Sequence, residues 1–366
     1  MNQSIMVQYA SGQLLYMNQE TLVAQPFDVE AGVLSGSPVR VASDVLVIAG
    51  AAKAAYSASN EGTLTYVRGF STLDASLSWV DRAGRDLGPV SDLALYDLVT
   101  LSPDGRRAAV GIIDPQVGTW DIWIVDIERD FRTRFTDTTA DEYGLVWRSD
   151  SRGLFFSSDR EGQSGVYYKA IGAASDAELV FSHDTSINLW DCSADGNTIL
   201  YSVTGGASKL DLWAAEISGE TAPRLLRQTA EDDVLGNFSP DGKWVTFAAA
   251  VAGRAQLFVA PWPEMSPLTQ VSTTSGTWSF WTKGGRELVY QDQAGAILSV
   301  SMTPENGEMR IGAPQTLFEF TAPVLEGPLF DVTADGERFL TVDAVDADPP
   351  AFCDVITNWT SLMAPQ

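Results

Sequence analysis

The stretch Leu101-Ser102-Pro103-Asp104-Gly105-Arg106-Arg107-Ala108-Ala109-Val110 reads as the end of one strand, a tight turn and the start of the next. An Asp-Gly pair between apolar runs is a strong hairpin signal, because Gly takes positive φ without steric cost. The phrase recurs. Phe238-Ser239-Pro240-Asp241-Gly242-Lys243-Trp244 is nearly a copy, and Cys192-Ser193-Ala194-Asp195-Gly196 and Val332-Thr333-Ala334-Asp335-Gly336 keep the Asp-Gly. Degenerate forms stand at Trp281-Thr282-Lys283-Gly284-Gly285 and Trp147-Arg148-Ser149-Asp150-Ser151, with weaker ones at Ser59-Asn60-Glu61-Gly62 and Tyr9-Ala10-Ser11-Gly12. The turn positions fall at 12, 62, 105, 151, 196, 242, 285 and 336, so successive spacings lie between 43 and 51 residues. Repetition at that period, with several short strands per unit, is the signature of propeller blades. The expectation is an all-β propeller of four-stranded antiparallel blades, eight in number, or seven if the weak first repeat completes the last.

The repeat also decides domain organisation. A chain of 366 residues would by length alone suggest two domains. An unbroken repeat from end to end predicts one propeller domain over 1–366. Strands are expected at Ser4–Ala10, Gln13–Asn18, Thr21–Phe27 and Val39–Ala42 in the first repeat, with Ala49–Ala55 as loop. In the second they are expected at Ala55–Ser59, Thr63–Arg68, Leu77–Asp81 and Leu87–Val90, and in the eighth at Leu329–Val332, Arg338–Val342 and Asp354–Asn358. The eighth repeat has no fourth strand, and residues 1–4 are too few to supply one, so the last blade is expected to be incomplete.

Charge excludes some partners. The net charge is −25 and the pI near 4.2, the opposite of the basic footprint that nucleic-acid phosphates or anionic membranes require. No window of about 18 apolar residues exists, so no membrane span is expected. Met1–Val7 lacks a basic start and an apolar core, so no signal peptide is read there. As it stands the chain reads as soluble and cytoplasmic; as part of a longer membrane protein it would read as periplasmic or extracellular. Cys192 and Cys353 fall in different repeats and are expected to be small buried hydrophobes.

The Ser-Pro-Asp-Gly phrase and Trp120-Asp121-Ile122-Trp123-Ile124-Val125-Asp126 resemble the TolB-like, WD40-like (PD40) propeller repeats of bacteria. Thr21-Leu22-Val23-Ala24-Gln25-Pro26-Phe27-Asp28, Leu77-Ser78-Trp79-Val80-Asp81-Arg82-Ala83-Gly84 and Val355-Ile356-Thr357-Asn358-Trp359 are similar to propellers appended to bacterial serine/threonine kinases and winged-helix regulators. The resemblance implies a sensor or protein-interaction module and not a catalyst.

No Gly-x-Ser-x-Gly elbow occurs, and the one histidine, His183, stands just past a strand end. Two acidic groups precede first strands at equivalent repeat positions: Asp137, Asp141 and Glu142, and Glu231, Asp232 and Asp233. Hard oxygen ligands converging on one rim would suit Ca²⁺, though a solvated loop is the plainer reading and no other cofactor is indicated. The repeated Asp of the Asp-Gly phrase is read as turn chemistry. Trp79, Trp123, Trp147, Trp190, Trp213, Trp244 and Trp281 are read as packing between blades, and Trp262, between two prolines, as an exposed contact point. The function expected is a non-catalytic module for a protein or peptide partner or a sensed ligand. The alternatives are a carboxylate-based hydrolase or lyase at the central channel and a Ca²⁺-binding scaffold.

Overall fold

The computed structural model describes residues 7–18, 21–43, 45–48, 53–68, 75–113, 119–129, 131–204, 209–320, 329–344 and 353–363. The starting segment 1–6, most of the loop expected at Ala49–Ala55, and the connections 69–74 and 345–352 lie outside the described residues; Lys53–Ala54 forms a short strand. The chain divides into two compact units, Ala75–Asp343 and Met1–Asp74 with Ala344–Gln366.

The larger unit holds six antiparallel sheets. Sheet I comprises Tyr96–Leu101, Arg107–Ile113, Trp120–Asp126 and Phe131–Arg134. Sheet II comprises Glu142–Trp147, Gly153–Ser158, Ser164–Ala170 and Glu178–His183. Sheet III comprises Ile187–Cys192, Thr198–Thr204, Leu210–Glu216 and Arg224–Arg227. Sheet IV comprises Asp233–Phe238, Trp244–Val251, Arg254–Pro261 and Thr269–Gln270. Sheet V comprises Thr277–Thr282, Glu287–Gln291, Ala296–Glu305 and Gln315–Glu319; Glu308–Ile311 folds back on the third of these. Sheet VI is built from two distant stretches, Phe330–Val332 and Arg338–Ala344 followed by Ala75–Asp81 and Asp86–Ala94. The first strands of the six sheets neighbour one another in cyclic order, and that of sheet VI meets that of sheet I. The unit is therefore a closed propeller ring.

Among its described residues the smaller unit holds two larger sheets and a two-stranded ribbon of Val47–Ile48 and Lys53–Ala54. Sheet VII comprises Val7–Ala10, Gln13–Asn18, Thr21–Asp28 and Val39–Ser43, with Val33–Leu34 on the end of the third strand. Sheet VIII has three strands, Tyr56–Ala58, Thr63–Val67 and Cys353–Thr357. Both share one core of Leu15, Leu22, Tyr56, Leu64 and Trp359.

All eight turn positions adopt left-handed φ: Gly12 +78°, Gly62 +92°, Gly105 +68°, Ser151 +60°, Gly196 +73°, Gly242 +68°, Gly285 +85° and Gly336 +75°. Each joins the first and second strands of one sheet. In four of them the hydroxyl of Ser102, Ser193, Ser239 or Thr333 donates to the Asp two residues on. That Asp then accepts a backbone N–H from beyond the Gly. These Asp residues are turn caps, as read from the sequence.

The count of sheets in the ring differs from the eight expected. Eight hairpins form, but six sheets close the ring and the other two lie in the smaller unit. The reason is an exchange of third strands. Thr63–Val67 pairs with Cys353–Thr357, and Arg338–Ala344 lies beside Ala75–Asp81. Turn chemistry fixes only adjacent strands; the third strand arrives over a longer connection and is chosen by packing. Ala75 and Leu77 are fully buried in the core with Phe330, Phe339 and Val342, as a sheet covered on both faces requires. Cys353–Thr357 alternates exposed and half-buried residues, a pattern for a sheet with one wet face. Closure thus comes from residues 75–94, not from the chain's first residues.

The degenerate turn of sheet II carries its own compensation. Ser151 holds positive φ with a Cβ, and its hydroxyl accepts the Asp104 N–H from the turn of sheet I at 3.1 Å. Ser151→Ala is expected to destabilise the ring by about 1–2 kcal/mol, because it keeps the strain and orphans that donor. Ser151→Gly relieves the strain while losing the same bond and should fall within about 1 kcal/mol of the parent. Chemical denaturation of the two variants measures the difference.

Candidate functional site

The sheets' first strands run along the ring axis, and the residue two places before each turn's Ser or Thr position recurs as Thr100, Val146, Asp191, Asn237, Phe280 and Asp331. Two of the six are carboxylates, on sheets III and VI, three sheets apart in a ring of six. They make the same contacts. Asp191 accepts the N–H of its neighbour Cys192 at 2.8 Å and that of Phe238 on sheet IV at 2.8 Å. Asp331 accepts the N–H of Val332 at 2.6 Å and that of Leu101 on sheet I at 2.6 Å. Each carboxylate therefore ties its own strand to the next sheet. Burial pushes both upward, Asp191 to about 7 and Asp331 to about 6, against the lowering effect of those N–H donors. The charge of Asp331 adds to the rise at Asp191. Asp331 is 8% exposed, and Asp191 keeps somewhat more accessible surface. Sequence reading did not single out this pair, although an Asp inside the apolar runs Leu189-Trp190-Asp191-Cys192 and Phe330-Asp331-Val332, at one repeat position, was a legible signal.

The two acidic groups expected at a rim form two equivalent local networks, and the structure does not bring them together. Glu142 and Asp233 are the first residues of sheets II and IV and are buried, not in loops. Arg160 pairs with Glu142 at 2.9 Å and Arg227 with Asp233 at 2.6 Å. Burial raises both carboxyls, and the hydrogen bonds and the arginines oppose the rise. Asp137 pairs with Arg134 at 3.2 Å, Asp141 accepts the Trp120 N–H at 3.0 Å, and Glu231 and Asp232 lie 3.6 and 3.9 Å from Lys209. Among the described residues no group of three His, Cys, Asp or Glu side chains could hold a metal ion.

The remaining candidates are placed as follows. Trp262 is half-buried and not free: its ring stands edge-on to Phe238 at 5.2 Å, and Arg224 lies over it at 5.8 Å while donating to Pro263 O. Proline on either side holds the chain in a turn, and that turn folds the indole back onto the sheet core. His183 ends its strand with Nδ1 against Thr185. Cys192 is buried and its thiol pushed up to about 12 by burial; Cys353 is exposed, contrary to expectation, because its strand lies on an open sheet edge. Of the tryptophans, Trp147 donates to Thr100 O across the seam of sheets I and II, and Trp281 to Asn237 O across that of IV and V, the packing role expected.

Antiparallel topology sorts every connection of the ring to one of two ends. Links from sheet to sheet and from second to third strands share one end; the Asp-Gly turns and third-to-fourth links share the other. The first end carries exposed Asp137, Asp141, Asp159, Glu161, Asp184 and Glu231. Of its basic residues, Arg134, Arg160, Arg227 and Lys209 are ion-paired to acids of the same end, while Arg254 is exposed there with no ion pair among the described residues. The second end carries exposed Arg106, Arg129, Arg152, Arg224, Lys243 and Arg286 among its acids.

No protein-family model matches the chain, and no match was found among curated proteins. Solved structures do match in fold. A protein assigned as TolB from Agrobacterium tumefaciens superposes with a TM-score of 0.60 at 16% identity, over 75% of this chain and 99% of that one. An oligogalacturonate lyase in complex with manganese gives 0.50 at 16% identity, over 78% and 82%. TolB from Acinetobacter baumannii gives 0.49 at 11%, over 86% and 82%. The chain has the all-β propeller fold that it shares with the Agrobacterium protein. No described helix is long and apolar enough to cross a membrane.

The axial carboxylates set a pH dependence. An acid whose folded-state pKa is raised binds more protons folded than unfolded, so stability falls as pH rises from about 4 to about 7. Each group contributes up to about 1.4 kcal/mol per pH unit while it titrates. Asp191→Asn and Asp331→Asn should flatten that fall in denaturation midpoints taken from pH 5 to pH 8.

Proposed function

We propose that this chain is a non-catalytic binding propeller whose acidic end receives a cationic partner, a protein or peptide segment rich in Lys and Arg. The observation that carries the reading is the segregation of charge between the two ends of the ring. At the acidic end the paired bases offset Asp137 and Glu231 among others. Exposed Asp141, Asp159, Glu161 and Asp184 make no ion pair among the described residues and outnumber the one exposed unpaired base, Arg254, which leaves a net negative field. Such a field steers and holds a partner of opposite charge. The axial carboxylates support this reading in another way: their oxygens hold backbone N–H groups of two sheets, which is a scaffold's use of an acid.

The second reading is a carboxylate-based hydrolase or lyase acting at the axis. Its support is the pair of raised carboxyls, since groups poised near neutrality suit proton transfer. The lyase named above is an enzyme on this fold; its identity of 16% extends to fold alone.

A fluorescent oligolysine peptide distinguishes location from net charge. Glu161→Lys, Asp184→Lys and Glu231→Lys together, all at the acidic end, should weaken binding at least tenfold, about 1.4 kcal/mol. Glu128→Lys, Glu220→Lys and Glu264→Lys, the same charge change at the other end, should weaken it far less. Equal losses in the two triple variants would reject the acidic-end reading. Activity on polyuronate that Asp191→Asn abolishes would instead favour the enzyme.

A further inference from the structure

Among the described residues, sheets I to VII each have at least four strands; sheet VIII has three. Its outer margin is Cys353–Thr357, and among the described residues no strand lies beyond it. The smaller unit alone carries this feature, and the inference is independent of the acidic end of the ring.

The margin is open in backbone terms. On the middle strand Thr63 and Val67 exchange ladder bonds with the Tyr56–Ala58 side, through Ser59 N–H to Thr63 O and Val67 N–H to Ala55 O. The alternate residues Leu64 and Tyr66 therefore bond the other side, where they stand opposite Ile356 and Asp354. That leaves the N–H and C=O groups of Cys353, Val355 and Thr357 directed outward, spaced as a further strand needs them.

Val7–Ala10 of sheet VII is also an unshifted outer strand, but it has four residues and its Gln8 side chain bonds the Ala58 N–H and O. The other outer strands of the named sheets are defended in ways natural sheets use against such pairing. Register shifts break the outer pairs of sheets II, III, V and VII. The outer strand of sheet VI contains Pro89, that of sheet IV has two residues, and that of sheet I carries Arg132 and Arg134. Cys353–Thr357 has none of these devices. It pairs with Thr63–Val67 over five consecutive residues without a shift. Its Val355 is 59% exposed, and its one charge, Asp354, is paired with Arg68 at 2.8 Å.

We infer that the free edge of Cys353–Thr357 is the docking site for an extended segment of another polypeptide, which adds to sheet VIII as its fourth strand. The occupant is a neutral-to-basic segment with β-branched residues at alternate positions, one of them beside Val355. Charge selects it over a second copy of this chain, since two chains of net charge −25 repel. Main-chain pairing supplies the register and the Val355 side supplies selectivity, as in other strand-addition complexes.

The test uses a labelled synthetic peptide alternating Val and Thr between terminal lysines, read by fluorescence anisotropy, with amide hydrogen exchange on the full chain. Wild-type chain should bind, and the amides of Val355 and Thr357 should exchange at least tenfold more slowly in the complex. Val355→Pro removes an outward N–H that no ladder bond uses, so thermal melting should hold while binding falls at least tenfold. Val355→Lys should repel the peptide with the fold equally intact. The Glu161, Asp184 and Glu231 charge-reversal variant should keep the slowed exchange at Val355, which separates this site from the acidic end. Absent peptide binding, binding that Val355→Pro leaves unchanged, or a wild-type dimer that Val355→Pro dissociates would each overturn the assignment, the last by making a second copy the occupant.

Discussion

The larger unit depends on one seam, where sheet VI, assembled from residues 330–344 and 75–94, joins the first and last strands of the ring. Asp331 holds the Leu101 N–H on one side of that sheet. On the other side Arg82 binds both Glu287 oxygens and Ser299 of sheet V, and the Gly336 carbonyl of its own sheet. Burial pushes the Glu287 carboxyl up, and Arg82, Thr282 and Lys283 outweigh it and hold it below its usual range. Inside the sheet, Thr341 Oγ1 donates to Ser78 O and joins strands 263 residues apart in sequence. A ring cannot hold one pair of sheets loosely without freeing all the others, so polar links of high specificity concentrate where the chain returns to itself.

That seam explains what sequence alone could and could not show. The hairpins were legible because each is decided within a few residues: a Gly or Ser in the left-handed region, a hydroxyl and an Asp that satisfy the turn's own backbone. The partner of each second strand is decided by burial at a distance. Leu77 and Val355 both sit in short β-branched or aromatic runs, and nothing local tells that one will be fully buried and the other exposed. The eightfold period is therefore a true count of hairpins. It does not say how many of them enter one ring.

The same division holds for the candidate sites. Asp137, Asp141, Glu231 and Asp232 were legible as an acidic pattern because exposed loops advertise charge in composition. What the pattern hid was that Glu142 and Asp233 turn inward to meet Arg160 and Arg227, contacts between residues 18 and 6 apart. Trp262 was read as exposed from its prolines, yet Phe238, at the end of the first strand of sheet IV, takes up the ring. Asp191 and Asp331 were the costlier omission. Their meaning comes from the next sheet's backbone, which no single repeat contains.

An aspartate is an expensive way to satisfy two amides, and the expense shows why it is used. The inner strand of each sheet has one edge without a ladder partner, so its outward N–H groups face the axis or the neighbouring sheet. A hydroxyl or amide offers one acceptor atom; a carboxylate offers two, one for its own strand and one for the next. The raised positions of both groups measure what burial takes back from that gain. Two such clamps, placed three sheets apart, brace the ring at opposite points while keeping their charges as separated as the axis allows. More clamps would place like charges on adjacent sheets, and the layer instead fills its other four places with Thr100, Val146, Asn237 and Phe280.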